Sequence, residues 1–241
     1  MAGPLLPEQR PGGQQIIPRP EGWKPGGGPP WPVPAPIHDT AHAVRALLAE
    51  PWPDDPDTSH DDRPAAVLVV LADGPRGTEV LLTRRPWHMR THKGEVTFPG
   101  GRLDPGETYE QAALREAWEE VALPPETVTV VGRLHPVRPW TNNNWIMPVL
   151  AHIPAPVELV GHAAEVDRVW WVPLQDFTMP GTYREEHWDT AYGKHPILFY
   201  DLDDETVWGL TGRILTWLLE VVYDIPGRTP PPIVEPMPDR E

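Results

Sequence analysis

The stretch GGRLDPGETYEQAALREAWEEVAL, residues 100–123, decides how the chain is read. Its first part is a glycine- and proline-bearing loop, and its second part has no helix breaker. Thr108 and Gln111 have the spacing of a capping box, and Pro124 and Pro125 stop the run, so a helix is predicted over about 108–122. On a wheel turning about 100° per residue, with Glu116 at zero, Glu119 falls at about 300° and Glu120 at about 40°. These three carboxylates share one arc, whereas Leu114, Ala117, Trp118 and Val121 fall between about 100° and 200°. The helix is therefore expected to bury the second arc and turn the acidic arc to solvent.

Like charges three and four residues apart destabilise a helix. Two of them 4 Å apart repel by about 4 kcal/mol at an effective dielectric near 20. Such a cluster needs a cation, a shared proton or free access to water. Hard oxygen donors in a chain without cysteine suit magnesium or manganese. A solvated face with Glu/Arg pairs is the competing reading of the bare REAWEE string. The loop in front adds weight to the first reading. Glu107 can fold back onto the acidic arc, and Gly100, Gly101 and Gly106 allow close backbone approach to a ligand.

At this point the chain resembles the Nudix hydrolases, whose motif is G-x5-E-x7-R-E-U-x-E-E-x-G-U, with U aliphatic. Gly101, Glu107, Arg115, Glu116, Glu119, Glu120 and Leu123 stand at its fixed positions, and Ala117 takes the first U. Ala122 stands where the family has the glycine that closes the helix. The resemblance implies an α/β/α sandwich and metal-assisted attack of water on a diphosphate. Glu116 and Glu120 would be the principal ligands of Mg2+ or Mn2+, with Glu119 and the Gly101 carbonyl completing the set. Arg115 would orient carboxylates. The catalytic base would be a box glutamate such as Glu119 or Glu116, or a later carboxylate, with Glu165 or Asp167 of GHAAEVDR as candidates.

Upstream, LLTRRPWHMRTHKGEVTFPGG at 81–101 looks like the extra motif of the coenzyme A pyrophosphatase branch of that family. Leu81, Leu82, Thr83, Arg85, Arg90, Gly94, Phe98, Pro99, Gly100 and Gly101 match, and Pro86 replaces its Ser/Ala. WGLTGRIL at 208–215 looks like the closing helix of the branch. The resemblance implies hydrolysis of coenzyme A or acyl-coenzyme A to 3′,5′-ADP and (acyl-)4′-phosphopantetheine. Arg85, Arg90 and His92 would bind substrate, since arginine forks suit phosphate oxygens. Arg84 and Lys93 belong to the same basic cluster, with pairing to box glutamates as their other reading. Trp140, Asn142, Asn143, Asn144 and Trp145 form a loop that either stacks on a base or is structural. Another nucleoside diphosphate derivative, such as ADP-ribose or a dinucleotide, is the second reading. A Nudix-fold binding module without turnover is the third.

The rest of the chain fits this centre. PAAVLVVLAD at 64–73 is a continuous apolar run, as in a strand covered on both faces, and TEVLLTRR at 78–85 pairs back to it. Further strands are expected at 127–134, 145–153 and 168–172, with helices at 38–50 and 208–224. The first of these helices groups Ala43, Leu47 and Leu48, and the second groups Leu210, Ile214, Trp217, Leu218 and Val221. The fold class is α+β or α/β around a mixed sheet. The chain of 241 residues has 35 prolines and 20 glycines, about twice the usual share. They mark residues 1–36 as an extended tail, with Leu5, Leu6, Ile16, Ile17, Trp23 and Trp31 as docking points, and residues 226–241 as a second tail. Between them, 37–225 is read as a single domain. A net charge of −15 argues against nucleic acid or an anionic membrane as partner and favours a small nucleotide-type substrate in a local basic pocket. No apolar stretch approaches the length of a membrane span, and the N-terminus lacks the order of a secretory signal, so a cytoplasmic protein is expected. The tails leave a homodimer open.

Overall fold

A computed structural model of the chain describes residues 10–33, 35, 39–56, 62–139, 144–190 and 193–227. In chain order the elements are β1 (Lys24–Pro25), α1 (Thr40–Ala49), β2 (Arg63–Gly74), β3 (Gly77–Arg84), β4 (Val96–Thr97), β5 (Gly100–Arg102) and α2 (Tyr109–Val121). There follow β6 (Thr129–Arg133), β7 (Asn144–Ile153), β8 (Arg168–Pro173), β9 (Tyr183–Thr190), β10 (Gly193–Asp201), β11 (Thr206–Trp208) and α3 (Gly209–Val222).

The apolar run of β2 makes it the spine of a seven-stranded mixed sheet. The order is β4-β3-β2-β7-β6, with β5 added to β2 and β8 to β3. β2 and β7 run parallel from the Arg63–Asn144 pair to the Ala72–Ile153 pair. Successive side chains of a strand point to opposite faces. Ala66, Leu68, Val70 and Ala72 accordingly pack with Ala113, Ala117 and Val121 of α2. Val69 and Leu71 pack on the other face with Leu47 of α1 and Ile214 and Leu218 of α3. The result is an α/β/α sandwich, the architecture that the resemblance implies.

Two expectations about helix faces need correction. Leu48 is exposed while Ala43 and Leu47 are buried, so α1 presents a narrower apolar stripe than its sequence suggests. In α2 the buried residues are Tyr109, Ala112, Ala113, Ala117, Glu120 and Val121, and Trp118 is 51% exposed. The buried arc is rotated towards the carboxylates because small alanines, not Trp118, allow the helix to lie close on β2 and β5.

A second sheet, of order β1-β9-β10-β11, was not anticipated. Its strand β9, YREEHWDT, interleaves charged residues with a few aromatics and carries no continuous apolar run. Ion pairs within the fold satisfy those charges: Arg184 donates to Asp201 at 2.6 Å and also pairs with Glu186.

The N-terminal segment runs along this second sheet. Gly12 N donates to Leu202 O at 2.8 Å, and the buried Gln15 donates to Gly94 O at 3.1 Å and accepts from Thr206 N at 2.9 Å. Trp31 is only 3% exposed and stacks on Tyr200, with Tyr183 edge-on to it. Ile17 packs on Trp188 and Phe199, whereas Ile16 is exposed and Trp23 partly so. Leu5 and Leu6 lie outside the described residues, as do Trp140, Asn142 and Asn143 of the polar aromatic loop. Asn144 and Trp145 begin β7.

Candidate active site

The acidic helix is held at both ends. At its start the capping box forms: Thr108 Oγ accepts from Gln111 N at 3.3 Å, and Gln111 Oε1 accepts from Thr108 N at 2.9 Å. At its end Ala122 adopts the left-handed conformation, φ 56° and ψ 34°. Its amide donates to Trp118 O at 3.0 Å and that of Leu123 to Ala117 O at 3.3 Å. Alanine thus performs the closing turn that the motif glycine performs, at a steric cost.

The loop before the helix folds back as its glycines allow. Arg115 Nε donates to Glu107 Oε1 at 2.8 Å and Nη2 to Glu107 Oε2 at 3.0 Å. The Nη1 of the same guanidinium reaches Glu116 Oε1 at 2.9 Å and Glu119 Oε2 at 3.1 Å. Arg115 therefore gathers three of the motif carboxylates. It also holds the Glu107 carboxyl down to about 2, with a hydrogen bond from the Asp104 amide adding to the effect.

Glu120 corrects the wheel. It is 6% exposed, not solvent-facing, and its Oε2 accepts from Gly100 N at 3.1 Å. Burial pushes its carboxyl up to about 7, and the charges of Glu116 and Glu165 push in the same direction. Burial also raises Glu116, and the charges of Glu119 and Glu165 add to it. A Cβ at Gly101 would meet the Glu116 carboxylate and displace it from its present position.

Glu165 lies on a separate loop, and its charge acts on both Glu116 and Glu120. His162 N donates to Glu120 O at 2.7 Å and Val160 N to Val121 O at 3.3 Å, which lays the loop across the end of α2. Asp167 is instead engaged by Arg84, at 2.6 Å, and Arg84 also pairs with the buried Glu205. Arg84 is thereby a structural cation rather than a partner of the motif glutamates.

Among the described residues no three carboxylate or imidazole side chains stand ready-grouped as a metal cage. Arg115 draws Glu116 and Glu119 to itself. The donor chemistry nonetheless fits a hard divalent cation. Glu116 and Glu120 are covered carboxylates, one helical turn apart, whose charged forms are disfavoured by burial and by neighbouring carboxylates.

Beside Gly100, Gly101 and Arg102 opens a cleft of 870 Å³ between the large and the small sheet. Arg85, His92, Arg138 and Arg213 line it, with Trp188, Ile197 and Trp208 as an apolar wall and Pro18 and Pro20 at its rim. Of the expected substrate residues, Arg85 and His92 therefore face the cleft. His92 bonds Glu95 at 2.8 Å, and this hydrogen bond raises its pKa. Arg90 is exposed and does not line the cleft, because the turn after Pro86 carries it outward; Lys93 is likewise exposed. Arg138 and Arg213 escaped the sequence reading. Arg213 lies inside the WGLTGRIL segment, which does not single it out, and Arg138 belongs to no motif; their shared position on one cavity marks both.

The Nudix domain profile matches residues 62–192. The chain is 34% identical over 165 residues to a protein of Yersinia pestis (strain Pestoides F) called "Uncharacterized Nudix hydrolase NudL", covering 68% of this chain and 82% of that one. A protein of the same description from Yersinia pseudotuberculosis serotype O:1b matches equally. The solved structure of RenU, a Nudix hydrolase from M. smegmatis, is 29% identical, with a TM-score of 0.42, over 53% of this chain and 82% of that chain. The chain belongs to the Nudix family of hydrolases.

Proposed function

We propose that the protein hydrolyses the diphosphate bond of coenzyme A or its acyl derivatives, releasing 3′,5′-ADP and (acyl-)4′-phosphopantetheine. The observation that carries this reading is the continuity of the Glu116–Glu120 cluster, through Gly100 and Gly101, with a cleft lined by Arg85, from the 81–101 motif. Arg85 Nε is buried without a hydrogen-bond partner, and its charge acts on Glu120. A diphosphate oxygen supplies the acceptor it lacks.

Glu116, Glu120 and Glu119, with the Gly101 carbonyl, would hold Mg2+ or Mn2+. Such an ion, when bound, neutralises phosphate charge and lowers the pKa of a coordinated water. Arg115 keeps Glu107, Glu116 and Glu119 in register by its hydrogen bonds. Glu165 would serve as the base: it sits on a loop anchored to the end of α2, and more than half of its side chain is open to solvent. Arg85 orients the diphosphate, and the apolar wall of Ile197 and Trp208 excludes water from the rest of the substrate.

A substrate panel with Mg2+ or Mn2+, with products identified by mass, tests the reading. Coenzyme A should show the highest kcat/KM. Preference for ADP-ribose or a dinucleotide would transfer the function to another member of the same reaction class. Binding of these compounds without turnover of any would point to the non-catalytic module.

A further inference from the structure

Arginines covered by this fold meet carboxylates. Arg138 reaches Asp62 at 2.7 Å with both side chains 5% exposed, Arg168 reaches Asp204 at 2.8 Å, and Arg133 reaches Asp55 at 2.5 Å. In a chain of net charge −15 such partners are abundant. Among the described residues, two covered arginines depart from the pattern. Arg85 Nε and Arg213 Nη1 are buried with no hydrogen-bond partner among the described residues. Burial alone pushes the Arg213 guanidinium down from its ordinary range. Both residues line the same cleft.

The two approach the cleft from different layers. Arg85 follows β3, and its charge acts on Glu120 of α2. Arg213 belongs to α3, whose core residues pack on the opposite face of the large sheet from α2. The same cleft is walled by Trp208, Ile197 and Trp188 of the small sheet. Covering a guanidinium without a partner is costly, and the cost is offset when an anion enters. A planar ring fits the apolar wall, and a phosphate fits the guanidinium fork. A nucleoside that carries a phosphomonoester apart from its diphosphate offers both groups.

We infer that Arg213 is a specificity-determining residue that receives a phosphomonoester on the nucleoside half of the substrate, separate from the diphosphate held near Arg85. The inference rests on the coenzyme A reading, where this group is the 3′-phosphate.

The test compares wild type with Arg213→Met and Arg213→Lys. In EDTA, where turnover plays no part, adenosine 3′,5′-bisphosphate should raise the Tm of the wild type more than AMP does. The extra shift should vanish in Arg213→Met and return in part in Arg213→Lys. With metal, the ratio of kcat/KM for coenzyme A to that for dephospho-coenzyme A should fall by about ten- to a hundredfold in Arg213→Met, the worth of one hydrogen bond to a charged group. An unchanged ratio, or equal Tm shifts by the two nucleotides in wild type and variant, overturns the inference. Without ligand, Arg213→Met should keep or raise Tm, because it removes a covered charge; a clear fall would make the arginine structural and also overturn it. If the wild type leaves coenzyme A intact while the bisphosphate shift depends on Arg213, the proposed reaction fails and the anion site stands.

Discussion

The Gly100 amide donates to Glu120 Oε2 at 3.1 Å, and this bond ties the first residue of β5 to the helix that follows it. It places a carboxylate in the one part of α2 where small residues bring the helix against the sheet. Burial raises Glu120 to about 7, so the folded state binds a proton more tightly than the unfolded chain does. Unfolded glutamate titrates near 4.5, and below that pH the group is neutral in both states and costs nothing. As pH rises through the folded pKa, stability is lost. Glu120→Gln should therefore be about as stable as wild type at pH 4 and more stable by about 3 kcal/mol at pH 8, without metal. Urea denaturation at both pH values in EDTA checks this; an advantage that does not change with pH would contradict it.

Ala122 holds φ 56° at the end of α2. An L-residue there costs about 1 kcal/mol that glycine avoids. Ala122→Gly should raise the denaturation free energy by only part of that amount, about 0.5 kcal/mol, because the greater freedom it adds to the unfolded chain offsets the rest. A loss of stability would show that the Ala122 side chain contributes contacts that outweigh its backbone.

Trp31 connects the N-terminal segment to the core through Tyr200, Tyr183 and Tyr223. Trp31→Ala should cost about 3–5 kcal/mol, as large-to-small changes in a core do. Trp23, which lies under Arg19 near the surface, should cost much less when cut to alanine. Equal and small effects in denaturation would mean that the whole segment is dispensable to the fold.

Arg85 lines the cleft and Arg90 does not. Arg85→Met should lower kcat/KM for coenzyme A by about ten- to a hundredfold, and Arg90→Met should lower it less. A larger loss at Arg90 in steady-state kinetics would reverse the assignment.

The contrast between these two arginines shows where sequence reading stops. Residues 81–101 carry both in one motif, and only the outward turn after Pro86 separates them in space. The strands of the large sheet were legible because β2 and β7 are buried on both faces and read as unbroken apolar runs. The capping box was legible because it depends on two residues at fixed spacing. The small sheet was not, since its charges are satisfied by long-range pairs such as Arg184–Asp201. Nor was the burial of Glu120, because a helical wheel weighs hydrophobicity and ignores how closely Ala113 and Ala117 let the helix approach. Arg213 was hidden for a related reason: it sits in an apolar helix and shares its cleft with residues far away in the sequence.

Hydrolysis of a coenzyme A diphosphate at the Glu116–Glu120 cluster leaves products of known mass. Its most direct test is the mass spectrum of coenzyme A after incubation with the protein and Mg2+, beside parallel samples in EDTA and with Glu120→Gln. The account predicts 3′,5′-ADP and 4′-phosphopantetheine from the wild type with metal and intact coenzyme A in both controls. Intact coenzyme A in all three, or the same products in EDTA, would contradict it.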